Sequence, residues 1–252
     1  MKNGLVLLDA AAGIATITLN RPDKGNALSR EMMDALDDRI DEALADDDAR
    51  VIVLAANGKI FSAGHDLQEM LDHEERAWQQ AHFDRCSRLM LKIRSASKPF
   101  IARVQGAAVA AGCQLVATCD LAYAVETAKF GINGINLGLF CSTPSVALSR
   151  AVHPKQALDL ALTGRLILAP RAAEIGLINA AVPADRLDEA VLEAARAIAG
   201  KLPAAIGLGK SLFYRQSELD IGEAYAMAAA AMAENIDDAE TRAKIAGFVG
   251  KQ

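Results

Sequence analysis

Two short stretches carry residue types that could do chemistry. The first is "FSAGHDL", residues 61–67, a loop around Gly64. The second is "VQGAAVAAGCQL", residues 104–115, where a strand ends at Gly106 and a helix of small residues opens immediately after it. Free backbone N–H groups at a loop and at a helix N-terminus can converge on one oxygen. Donors fixed before charge develops are the physical content of an oxyanion hole. Taken singly, a glycine turn is usually only a turn, and a small-residue helix is usually tight packing. Gln114 is the one neutral polar side chain of any length in that helix's first turns. Its amide donates and accepts, so it can orient water or a carbonyl, but it cannot act as a general base.

Other chemistry-bearing residues read as structural. His65, His73, His82 and Cys86 fit no standard metal-ligand spacing, and their segment reads as the solvated face of a polar helix. Cys141 has no neighbouring histidine or cation in sequence to activate it, so a packed thiol is the expectation. Cys86, Cys113, Cys119 and Cys141 form no C-x-x-C pair and read as reduced core residues.

The elements that must position these groups can be read in outline. The chain has 252 residues, 52% of them hydrophobic and 23% charged, enough for one sizeable core. A net charge of -5 argues against nucleic acid as partner. Neither "MKNGLVLLDAAAG" nor "AAVAAGCQLVA" is long enough for a secretion signal or a membrane span, so a cytoplasmic protein is expected. Residues 4–20 suggest a hairpin turning at 11–13. Ser29 caps a helix with Met32, Met33, Leu36, Ile40 and Leu44 at helical spacing. "RVIVLAA" is a buried strand, 68–95 one charged helix, and "KPFIARVQG" a strand and turn. Two strands, "DLAYAVE" and "AKFGI", precede a loop. Ser142 or Thr143 then caps a helix with Pro144 in its first turn. After Pro183 the stretches 185–200, 204–216 and 221–248 read as helices only. Their apolar faces predict packing onto the body or a second subunit.

In order along the chain, "ITLNRPDKGNALS", "FSAGHDLQEM", "KPFIARVQGAAVAAGCQLVATCD", "AKFGINGINLGL", "LTGRLILAPRAAEIGLINAAVP" and "LPAAIGLGKSLF" resemble the crotonase, or enoyl-CoA hydratase/isomerase, superfamily. The loop "GLFCSTP" is similar to its branch called enoyl-CoA hydratase domain-containing protein 3. The resemblance implies an α/β fold, a crotonase-like spiral of ββα units over 1–196, with a helical C-terminal oligomerisation region over 197–252. It implies homotrimers or homohexamers, acyl-CoA as substrate in fatty-acid metabolism, and no cofactor beyond the coenzyme A of that substrate.

Carried over residue by residue, the resemblance puts the backbone donors of the oxyanion hole at His65 and Ala111. It puts coenzyme A contacts at Lys24, Ala27, Leu28, Ser62, Ala63, His65, Asp66, Leu67, Gln68, Ala111 and Lys210, with Asp66 supporting its loop. It implies that the family's two hydratase glutamates fall at Gln114 and Gly134, and a third acidic position used by some isomerases at Ser142. None of the three is acidic here. Efficient hydration is therefore not expected. The alternatives are other enolate chemistry (isomerisation, decarboxylation or thioester hydrolysis), with Gln114, Asn133, Asn136 or Ser142 placing water or substrate, or acyl-CoA binding without turnover.

Overall fold

The computed structural model describes residues 4–250. Four β-β-α units follow one another. The first is β1 (Val6–Ala11), β2 (Ile14–Leu19) and α1 (Arg30–Ala45). The second is β3 (Val51–Ala56) and β4 (Ile60–Ser62), followed by two helices, α2 (Leu67–Leu71) and α3 (Arg76–Ser95). The third is β5 (Phe100–Val104), β6 (Ala107–Val109) and α4 (Ala111–Thr118). The fourth is β7 (Leu121–Val125), β8 (Lys129–Gly131), a short 3-10 turn and α5 (Ser142–Ala151). In the last three units the first strand joins one sheet and the second strand joins another.

The larger sheet has the order β1-β2-β3-β5-β7-β10, and the smaller β4-β6-β8-β9. They are completed by α6 (Pro154–Thr163), β9 (Ile167–Leu168), α7 (Ala169–Glu174) and β10 (Ala180–Val182). Four more helices close the described chain: α8 (Leu187–Ala199), α9 (Pro203–Gln216), α10 (Ile221–Asp237) and α11 (Ala239–Val249). All pairings are parallel except β1 with β2 and β8 with β9. A parallel strand covered on both faces reads as a continuous apolar run. That is why "VIVLAA" of β3 is buried at every position.

The expected hairpin, the Ser29 cap and the strand at 51–56 are all present. The Ser29 side chain accepts from the Met32 N–H. Several boundaries differ. The helix expected over 68–95 breaks at 72–75, because Asp66 caps a separate short helix by accepting from the Gln68 and Glu69 N–H groups. The helix expected straight after Gly106 starts at Ala111, because residues 107–109 form β6. Ser142 is the first residue of α5 and Cys141 its cap position, so neither Ser142 nor Thr143 is the cap. The break expected between 196 and 197 falls inside α8, which packs against β3, β5 and β7. Residues 221–248 hold two helices, divided at Asp238, whose side chain accepts from the Thr241 N–H and starts α11.

One buried side chain joins the first two units. Asn26 has φ 51, left-handed backbone that asparagine tolerates better than most residues. Its Oδ1 accepts from the Arg21 N–H at 2.8 Å. Its Nδ2 donates to the Asn57 carbonyl at 2.9 Å and the Ile60 carbonyl at 2.8 Å. Its own carbonyl accepts from the Ser62 hydroxyl at 3.0 Å, and that hydroxyl accepts from the Gly64 N–H at 3.3 Å. Removing the amide would leave several buried groups without partners, at about 1–3 kcal/mol each. Asn26→Ala is expected to lower unfolding free energy by about 2–4 kcal/mol in denaturant titration. A loss below about 0.5 kcal/mol would show that the amide holds nothing.

Candidate functional site

The small sheet decides which loops meet. β4 and β6 run parallel with Ser62 opposite Ala108. Three residues beyond Ser62 is His65, and three beyond Ala108 is Ala111. The two expected donors therefore leave neighbouring strands at the same offset. β8 pairs with β6 through Phe130 opposite Ala108, and the same offset there reaches Asn133, next to Gly134.

The approach is closer than side chains would allow. Gly64 has φ +91, and a Cβ on it would stand 2.8 Å from the Ala110 Cβ and 3.1 Å from the Ala111 nitrogen. Glycine is needed there both for its backbone and for the contact. Among the described residues, neither the His65 N–H nor the Ala111 N–H has an acceptor within the chain. Ala110, not Ala111, takes the strained backbone, φ 50 and ψ -121, just ahead of α4.

Gln114 lies one turn into α4 and is 4% exposed. Its side-chain oxygen faces the Cys86 thiol of α3 at 4.0 Å. Burial pushes that thiol up to about 12, so it is uncharged at neutral pH. Gly134 is sterically closed: a Cβ there would meet the Leu139 carbonyl oxygen at 2.6 Å and the Cys141 sulfur at 2.8 Å. The Cys141 sulfur also accepts from the Gly134 N–H at 3.3 Å. Burial raises the Cys141 pKa, and that N–H opposes the rise, which fits the packed thiol expected from sequence. Ser142 is exposed, its hydroxyl turned to the Phe140 carbonyl at 3.4 Å. Asn136 is tied to the Gly164 carbonyl at 3.1 Å.

The expected coenzyme A residues divide. Lys24, Ala63, Leu67 and Gln68 are exposed, while Ala27 and Leu28 are buried beneath them. Leu28 joins the two loops through its N–H, which donates to the Gly64 carbonyl at 2.7 Å. Asp66 is occupied by the α2 cap and by Arg21 at 3.6 Å, as its supporting role requires. Lys210 is engaged within its own subunit. Its side chain is 6% exposed, and its ammonium donates to Asp120 at 2.7 Å, the Ile93 carbonyl at 2.9 Å and the Lys98 carbonyl at 3.1 Å. A motif match could not reveal that this ammonium is already saturated inside its own subunit.

His82 and Cys86 need correcting. They do not lie on a solvated face. Both are fully buried, in line with Leu89 and Ile93 at spacings of 4, 3 and 4 residues. That stripe was present in the sequence. His65 Nδ1 and His82 Nε2 are 2.9 Å apart. Trp78 stacks between His73 and His82, with Arg30 over it. The His65 pKa is lowered to about 4, by burial and then by His82, against a hydrogen bond from the ring to the Leu28 backbone carbonyl. That of His82 is also lowered to about 4, by burial and then by Arg30 and Arg85, with Asp66 opposing.

A two-sheet spiral of β-β-α units with paired backbone donors at one sheet end is the architecture of the crotonases. The chain belongs to the enoyl-CoA hydratase/isomerase family, whose sequence pattern it matches over residues 9–252. A human relative, enoyl-CoA hydratase domain-containing protein 3, mitochondrial, is 42% identical over 240 residues. The match covers 95% of this chain and 79% of that protein. The crystal structure of that human protein superposes with TM-score 0.95 at 40% identity, covering 98% of each chain. A Mycobacterium smegmatis structure described as an enoyl-CoA hydratase superposes with TM-score 0.97 at 45% identity, over 99% of this chain and 98% of that one. Among the described residues no helix is long and apolar enough to cross a membrane.

Because the space beside residue 134 is filled, Gly134→Ala is expected to cost about 1–3 kcal/mol of stability through overpacking. Thermal unfolding measures this, and an unchanged melting temperature would mean that the 139–141 segment yields freely.

Proposed function

We propose that the protein binds an acyl-CoA thioester and stabilises its enolate through the N–H groups of His65 and Ala111. The observation that carries this reading is the equal offset of the two donors from paired strands, with Gly64 packed against Ala110 and Ala111. Backbone donors fixed by a sheet need no reorganisation as charge forms on the thioester oxygen. Lys24, Ala63, Leu67 and Gln68 form the coenzyme A side of the site, over the buried Ala27 and Leu28. Coenzyme A enters as part of the substrate, and no other cofactor is needed for an enolate held this way.

Adding water across a double bond needs a base that activates the attacking water. Gln114 cannot do so, and position 134 has no room for a carboxylate. This favours enolate chemistry other than efficient hydration. Exposed Phe213, Ile221, Tyr225, Met232 and Phe248 on α9–α11 support self-association, read as a homotrimer or homohexamer. Four free, buried thiols suit a reducing compartment, read from sequence as the cytoplasm.

Crotonyl-CoA tests both halves. It is expected to bind, measured by calorimetry, yet to be hydrated at least about 10²-fold below the usual 1–10³ per second. Hydration at ordinary rates would overturn the account of Gln114 and Gly134. Absence of binding would overturn the site itself.

A further inference from the structure

The two histidines beside the candidate donors form a unit that the reading above does not use. Their inner nitrogens, His65 Nδ1 and His82 Nε2, share one hydrogen bond of 2.9 Å. Their outer nitrogens, His65 Nε2 and His82 Nδ1, are buried and have no hydrogen-bond partner. In a neutral pair one ring donates to the other. One outer nitrogen is then always a bare lone pair and the other an N–H. Each such orphan is destabilising, and a native structure that keeps two in one pair calls for a reason.

The surroundings supply one. His65 is the residue whose backbone N–H is assigned to the thioester oxygen, so its ring begins two bonds away from the Cα of that donor. His82 precedes Cys86 by one helical turn on the buried stripe of α3, and Cys86 faces Gln114. The other ionisable groups nearby are engaged. Asp66 caps α2 and pairs with Arg21, and Glu69 accepts from the Arg30 N–H at 3.0 Å. Gln114 carries no exchangeable charge.

We propose that the His65–His82 pair is the proton-transferring group of this site, with His65 catalytic and His82 positioning it and taking up the charge. The inference rests on the acyl-CoA reading above. In the step, the α C–H bond of the bound thioester breaks. Its electron pair moves into the enolate, whose oxygen rests on the two N–H groups. The proton goes to His65 Nε2, and the proton on His65 Nδ1 passes to His82 Nε2. The pair then carries one positive charge against the enolate's negative one. Return of the proton to carbon restores the pair.

The groups facing it tune the pair. Arg30 of α1 and Arg85 of α3 disfavour the charged form, and Asp66 at the head of α2 favours it. With pKa values of about 4, the rings have nearly the proton affinity of an ordinary glutamate, about 4.3.

The test is α-hydrogen exchange of butyryl-CoA in D2O, followed by mass spectrometry, with butyryl-CoA binding measured by calorimetry on the same samples. The unchanged protein is expected to exchange, at a rate level from pH 5 upward, since His65 is neutral above about 4. His65→Ala keeps the backbone donor. It is expected to lose about 10²–10⁴-fold in exchange while Kd moves less than about threefold. His82→Gln still offers His65 a hydrogen-bond partner but holds no charge. It is expected to exchange at least tenfold more slowly, with the low-pH fall of the rate moved upward, a shift a purely structural role would not produce. Binding without exchange in the unchanged protein overturns the proton role and leaves the binding reading standing. Exchange at the original rate in either folded variant overturns it too. No binding overturns both. If one variant fails to fold, the other decides.

Discussion

The site depends on one buried amide. Asn26 holds the 20–28 segment to the strand that leads into the 61–67 loop, using both ends of its side chain and its own carbonyl. Without it, the Ser62 hydroxyl would have no fixed acceptor, and the Gly64 N–H would donate to a loosely held oxygen. Gly64 sits flat against Ala110 and the Ala111 nitrogen, which sets the His65 loop beside the start of α4. A backbone donor has no rotamer to adjust, so its aim is set wholly by where its chain is pinned. The chemistry of the loop is thus fixed from a turn nearly forty residues earlier.

Much of this was legible in the sequence, for identifiable reasons. Apolar runs gave the parallel strands, and the Ser29 cap gave the start of α1, because both are local effects. The loop and helix holding His65 and Ala111 were visible as glycine-bearing stretches. What brings them together, the register of Ser62 opposite Ala108, is a long-range pairing that no local pattern states. The unbroken helix expected over 68–95 failed because the Asp66 cap and the 72–75 break compete with helical periodicity. Asn26 sat in "KGNAL" as an ordinary turn asparagine. Its three distant partners appear only on folding.

Lys210 shows how a charge can mislead. In a motif a lysine near a helical tail suggests an anion outside the subunit. In the fold its ammonium meets Asp120 and two carbonyls, while Tyr214 donates to the other oxygen of Asp120 at 2.8 Å. Burial lowers the lysine's pKa and Asp120 raises it. The arrangement fastens α9 to the start of β7. Among the described residues α9 and α11 bury no side chain fully, and α10 only Ala224, so this polar clasp matters more than apolar packing within the subunit.

The filled space beside Gly134 bears on the history of the chain. Any side chain placed there meets the Leu139 carbonyl and the Cys141 sulfur before it can project inward. A single codon change to an acid at 134 would thus strain the fold unless the 139–141 segment moved aside. The 139–141 segment must first be rebuilt by other substitutions that bring no immediate gain.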